Sequence, residues 1–119
     1  MTVTQHLYSM YRRIRNNSCP EWRADPKSFY AWYQGQIREQ GDKCAYCGLP
    51  GNTEVHYHRT FRKGRRGLRL EVDRKDNGVL YSPDNCILAC YPCNNAKSDV
   101  FSYEEFLQIG QAVRRVKQR

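Results

Sequence analysis

Cys44-Ala45-Tyr46-Cys47 and Cys90-Tyr91-Pro92-Cys93 bracket the stretch that decides how this chain folds. Each pair leaves two residues between its sulfurs, a spacing that lets both thiolates of one tight turn reach a single ion. Two such turns supply the four soft ligands of a tetrahedral site. Cys44, Cys47, Cys90 and Cys93 are therefore expected to hold a structural zinc ion. Other uses of the same sulfurs are an iron–sulfur cluster, disulfides or free thiols. A basic chain that opens without a basic-then-apolar leader argues against disulfides.

Between the two pairs the pattern is that of strands. In Leu68-Arg69-Leu70-Glu71-Val72-Asp73-Arg74 the apolar residues fall on one face, and Arg69, Glu71 and Asp73 fall on the other. Residues 54–61 also alternate, with Val55, Tyr57 and Phe61 opposite His56, His58 and Thr60. Arg62-Lys63-Gly64-Arg65-Arg66-Gly67 connects them, with four cations in six residues. These features predict a two-stranded hairpin whose tip grips phosphate through Arg62, Lys63, Arg65 and Arg66. Residues 74–83 read as a loop and residues 86–89 as a short buried run. A short helix carrying Lys97 is expected to start near the second cysteine pair.

The residues around the cysteines resemble the HNH endonuclease family. The resemblance lies in Cys44/Cys47, Val72-Asp73 at a strand end, Asp84-Asn85 before the apolar run 86–89, and Cys90/Cys93-Asn94 followed by Lys97. It implies an α+β fold: a small ββα-metal core with a two-stranded antiparallel hairpin, the four-cysteine zinc site and flanking helices. It implies a catalytic Mg²⁺ or Mn²⁺ held by Asp73 and Asn94, which face each other across a gap. It further implies that Asn85 orients the strand-end loop, that Lys97 reaches a phosphate, and that 5′-phosphate and 3′-hydroxyl ends are produced. The family has histidine after the strand-end aspartate, whereas this chain has Arg74. Arginine stays protonated and makes a poor base, so its expected role is to clamp phosphate or stabilise the transition state. His58 is then the first candidate for the base, ahead of His56.

Working outward, the flanks read as helices. Val3, Leu7, Met10, Tyr11 and Ile14 recur at helical spacing, with Arg12, Arg13 and Arg15 mostly off that stripe. Residues 16–23, with Pro20, read as a connecting loop. Asp25-Pro26 starts a helix that presents Phe29, Trp32, Tyr33 and Ile37 and stops at Gly41. Ser102 and Glu105 form a capping box before a last helix with Phe106, Ile109, Val113 and Val116 on its apolar face. The expected organisation is a single domain over 1–119: helices in 1–43, the zinc-bound core in 44–99 and the C-terminal helix in 102–119. Of the two remaining cysteines, Cys86 reads as a small buried hydrophobe and Cys19 stays undecided.

Composition limits the partners. Twenty Lys+Arg against 12 Asp+Glu give a formal charge of +8, which suits a polyanion. No apolar run approaches the roughly 20 residues of a membrane span. The expected partner is DNA, contacted with little sequence specificity by a cytoplasmic monomer or homodimer. Two readings follow: a metal-dependent endonuclease of the HNH kind, nicking or cutting both strands, or a non-catalytic zinc-stabilised nucleic-acid-binding module on the same scaffold. A zinc ribbon for protein partners is a third, and it predicts no salt-dependent DNA affinity.

Overall fold

The computed structural model describes residues 2–51 and 69–118. The upstream hairpin strand (54–61), the basic tip (62–67) and both strand histidines, His56 and His58, lie outside the described residues.

Helix α1 (Val3–Ile14) is set by a capping box in which Thr2 and Gln5 satisfy each other's exposed amides. Leu7, Met10, Tyr11 and Ile14 are buried as their spacing requires, while Val3 stays exposed. A single 3₁₀ turn, Arg15–Asn17, follows. The expected loop at 16–23 is only partly a loop, because α2 (Pro20–Ala24) begins at Pro20. Proline marks a helix start as readily as a loop, since its missing N–H is not needed at the first position. Five residues cannot sustain a helix alone. This one is held by Trp22, which is fully buried, and by the Tyr11 hydroxyl, which donates to the Trp22 carbonyl at 2.6 Å.

Helix α3 (Pro26–Gln40) starts where Asp25 accepts the Lys27 amide at 2.9 Å and ends at Gly41, whose φ of 67° is left-handed. Phe29 and Tyr33 are buried, with Trp32 and Ile37 packed against them. Trp22 meets Phe29 edge-on at 5.1 Å, so α1, α2 and α3 share one aromatic core.

Among the described residues the sheet has two strands, β1 (Glu71–Arg74) and β2 (Cys86–Ala89), antiparallel with Glu71 opposite Ala89 and Arg74 opposite Cys86. The run 86–89 is therefore the partner strand of Asp73, a pairing the sequence pattern did not disclose. Gln40 braces its outer edge: the side-chain amide donates to the Leu88 carbonyl at 2.9 Å and accepts the Leu88 N–H at 3.1 Å. Cys86 is buried, and burial pushes its thiol up to about 12. From β2 the chain passes through Cys90 into α4 (Tyr91–Lys97), completing a β-β-α unit. None of the six cysteines is in a disulfide.

Helix α5 (Tyr103–Lys117) carries the expected Ser102–Glu105 capping box. Phe106 is buried, while Val116 is 67% exposed and lies beyond the packed part of the apolar face. Gly110 lets α5 approach the first cysteine turn closely, because an added Cβ would overlap the carbonyl group of Tyr46. Alanine in a helix is normally better than glycine by up to about 1 kcal/mol. Here the clash is with backbone, so Gly110→Ala is expected to destabilise by about 1–3 kcal/mol, as overpacking does. Urea unfolding measures this, and a variant more stable than the parent would refute it. Among the described residues no helix is long and apolar enough to cross a membrane.

Candidate active site and metal centre

The first cysteine turn is closed by its own backbone. The Cys44 N–H reaches the Leu49 carbonyl at 2.8 Å, and the Gly48 N–H reaches that of Cys44 at 2.9 Å. Gly48 has φ 72°, a conformation that favours glycine. The turn is fixed to the sheet by the Ala45 N–H, which donates to the Leu88 carbonyl at 3.0 Å. It is fixed to α5 by Arg114, which donates to the Cys47 carbonyl at 3.1 Å. The second pair needs no separate loop, because Cys90 caps α4 and Cys93 lies in its first turn.

All four sulfurs are buried and lie within 4.8 Å of one another, with Cys47 and Cys90 at 3.7 Å. A tetrahedron with metal–sulfur bonds of about 2.3 Å has sulfurs roughly 3.8 Å apart. Hydrogen bonds from Cys47, Cys90 and Cys93 pull the Cys44 thiol far below its ordinary value. Hydrogen bonding with Cys44 first, then Cys47, pushes Cys90 and Cys93 far above it. Four buried thiols that share protons in this way are a donor set that a cation would discharge, so the cluster fits a metal site.

Tyr46, between the first two ligands, links the clasp to the strand end. Its ring packs edge-on against Phe106 at 5.1 Å, and its hydroxyl donates to Asp73 Oδ2 at 2.5 Å. Lys97 approaches the same oxygen at 3.5 Å. Lys97 is fully buried and also donates to the Arg74 carbonyl at 2.8 Å and to Asn77 Oδ1 at 3.2 Å. The expectation that Lys97 contacts nucleic acid is corrected by this: its ammonium group is spent inside the fold. The cause is helical register, since Lys97 follows Cys93 by four residues and shares its buried face. Burial raises the Asp73 carboxyl above its ordinary value, against the opposing pull of Tyr46 and Lys97. Burial, then the Asp73 charge, drives the Tyr46 phenol far up, so it serves as a donor.

Asn94, one residue beyond Cys93, makes its side-chain hydrogen bond to Glu71: Nδ2 donates to Oε1 at 3.1 Å. The carboxylate that touches Asn94 is thus Glu71 rather than Asp73, whose described partners are Tyr46 and Lys97. Both carboxylates lie two positions apart on the same face of β1. The strand alternation already placed Glu71 beside Asp73, and that was the signal available for it. A cavity of about 220 Å³ opens here, lined by Glu71 and Asn94 with Arg13 of α1, Tyr81, Met10 and Ile14. Sequence reasoning gave no role to Glu71 or Tyr46, and it left Arg13 as a flanking charge.

The loop between the strands is tied to its own backbone by Asn85. Its amide accepts the Asp76 N–H at 3.0 Å and donates to the carbonyls of Asp76 (3.0 Å), Val79 and Leu80 (both 3.2 Å). Arg74 folds over this loop, with its guanidinium 4.7 Å above the Tyr81 ring and a bond to the Val79 carbonyl at 3.2 Å. Tyr81 in turn bonds the N-terminal segment, donating its N–H to Asn17 and accepting that of Cys19, each at 2.8 Å. His58, Arg62, Lys63, Arg65 and Arg66 lie outside the described residues.

No protein-family model matches the chain, and no curated protein matches it. Among solved structures, that of the rare-cutting HNH restriction endonuclease PacI resembles it with a TM-score of 0.68. Sequence identity is 30%, over 92% of this chain and 78% of that one. The likeness covers most of both chains at this identity, and the chain belongs to the HNH endonuclease family.

Proposed function

We propose that this protein is a metal-dependent endonuclease that hydrolyses DNA phosphodiester bonds. The observation that carries the reading is the β-β-α unit itself, in which a cysteine clasp fixes the helix start bearing Asn94 against the strand bearing Asp73. It is supported by the likeness to PacI, a restriction enzyme described for its perturbation of DNA, and by the formal charge of +8.

Zinc is the proposed occupant of the clasp, as four thiolates in a tetrahedron favour it and suit a reducing, cytoplasmic setting. Oxygen donors such as Asp73 and Asn94 suit a harder ion, Mg²⁺ or Mn²⁺, which would neutralise phosphate charge and help the 3′ oxygen leave. Tyr46 and Lys97 share Oδ2 of Asp73 and hold that carboxylate in one orientation. Asn85 keeps the following loop in shape, and Arg74 is the phosphate-facing cation of the site. Arg74 cannot accept a proton from water at neutral pH, so that step is assigned to His58. Arg62, Lys63, Arg65 and Arg66 are proposed to hold the DNA backbone with little sequence preference, in a monomer or a homodimer.

A second reading, a DNA-binding module that does not cut, is favoured by two observations. Arginine stands where the family carries its base, and the Lys97 ammonium lies 3.5 Å from Asp73. Plasmid nicking in Mg²⁺ or Mn²⁺ separates the two. The expected result is nicking that falls on the order of 10²-fold or more in Asp73→Ala, as loss of transition-state charge stabilisation does. If neither protein nicks and both retard DNA in a gel, the binding module is the correct description.

A further inference from the structure

Glu71 is 4% exposed and lies two residues before Asp73, on the strand that packs against α4. Its Oε1 accepts the Asn94 amide at 3.1 Å, and among the described residues this is the one hydrogen bond of the Asn94 side chain. A primary amide has a donor end and an acceptor end of nearly equal shape. A carboxylate oxygen accepts, so it selects the NH₂ end and turns the amide oxygen away from itself. We infer that Glu71 is a positioning residue that fixes the Asn94 amide with Oδ1 presented to a divalent cation and NH₂ turned from it. The inference rests on the reading of Asn94 as a ligand given above.

The fold makes this control rigid. Glu71 pairs across the hairpin with Ala89, the residue before Cys90, so one short connection joins the Glu71 strand to the Asn94 helix. Without the carboxylate, the amide of a half-buried asparagine can turn over and present two N–H protons to the cation. Partners that orient a ligand in this way typically change metal affinity by about 10- to 100-fold.

The test is Mn²⁺ binding by the full chain loaded with Zn²⁺, followed by the electron paramagnetic resonance of free Mn²⁺. It compares the parent, Glu71→Gln, Asn94→Ala, Asn94→Asp and the double variant Glu71→Gln/Asn94→Asp. Glutamine has the shape of glutamate but can face Asn94 with either end. Glu71→Gln is expected to weaken Mn²⁺ binding about 10-fold or more, with zinc content and melting temperature kept. The Asn94→Asp background decides the mechanism, because a carboxylate has no wrong end to present. There, Glu71→Gln is expected to produce no weakening. Equal weakening in both backgrounds overturns the inference, since Glu71 would then act by charge or as a ligand itself. Unchanged binding by Glu71→Gln in the parent background also overturns it and leaves the reading of Asn94 standing if Asn94→Ala weakens binding. A parent that takes up no Mn²⁺ removes the ion reading first, and this inference with it.

Discussion

Replacing Cys93 with serine, or stripping the metal with a strong chelator, is expected to abolish cooperative unfolding rather than lower its midpoint. Cys93 is fully buried where the second ligand turn becomes α4. The clasp joins residues 44–47 to residues 90–93, and the first of these turns is also bonded to β2 and to α5. Structural zinc contributes roughly 10–16 kcal/mol in small zinc-folded peptides, as much as a whole domain's net stability of about 5–15 kcal/mol. Without the ion, four thiols must share too few hydrogen bonds in a buried space. The readout is circular dichroism during chelator titration, with recovery when Zn²⁺ is returned. A chelated protein that still melts cooperatively within a few degrees of the parent would show that the clasp is not what holds this fold.

The second large effect is expected at Lys97. Its ammonium group is buried against Asp73, the Arg74 carbonyl and Asn77. Lys97→Met keeps most of the volume but leaves the Asp73 carboxylate without its counter-charge. Breaking a buried pair from one side costs about 3–5 kcal/mol. Chemical denaturation should show a loss of that size near neutral pH. The pH dependence follows from Asp73, whose carboxyl is already raised above its ordinary 3.8 by burial. A carboxyl raised on folding contributes stability below its unfolded value, and that stability is lost as pH rises through the folded one. Removing Lys97 raises Asp73 further, so the deficit of Lys97→Met should shrink on acidification, when Asp73 takes up a proton. Adding Asp73→Asn should recover part of the loss at neutral pH, since the two residues share one contact. A surface lysine that only met phosphate would weaken DNA binding and leave stability untouched. That outcome would refute the burial of Lys97.

The amino-acid sequence by itself determined the features that close within three or four residues. Cys44/Cys47 and Cys90/Cys93 are ligand turns because two intervening residues bring two sulfurs to one point. Asp25-Pro26, Gly41 and Ser102 with Glu105 mark helix ends because capping bonds span no more than one turn. The strand alternation around Asp73 was legible for the same reason. Only the tertiary structure decided which strand pairs with Asp73, since β2 lies beyond an eleven-residue loop and its four residues show no period. It also decided that Pro20 opens a helix, because Trp22 needs the aromatic core of α1 and α3 to bury itself. From sequence, Lys97 was expected to reach a phosphate and Glu71 was placed only on the Asp73 face of its strand. Packing between β1 and α4 turned one into a buried strut and the other into the partner of Asn94. Local geometry is written in neighbouring residues, but burial and partnership depend on chain segments dozens of positions apart, and those become visible only when the segments meet.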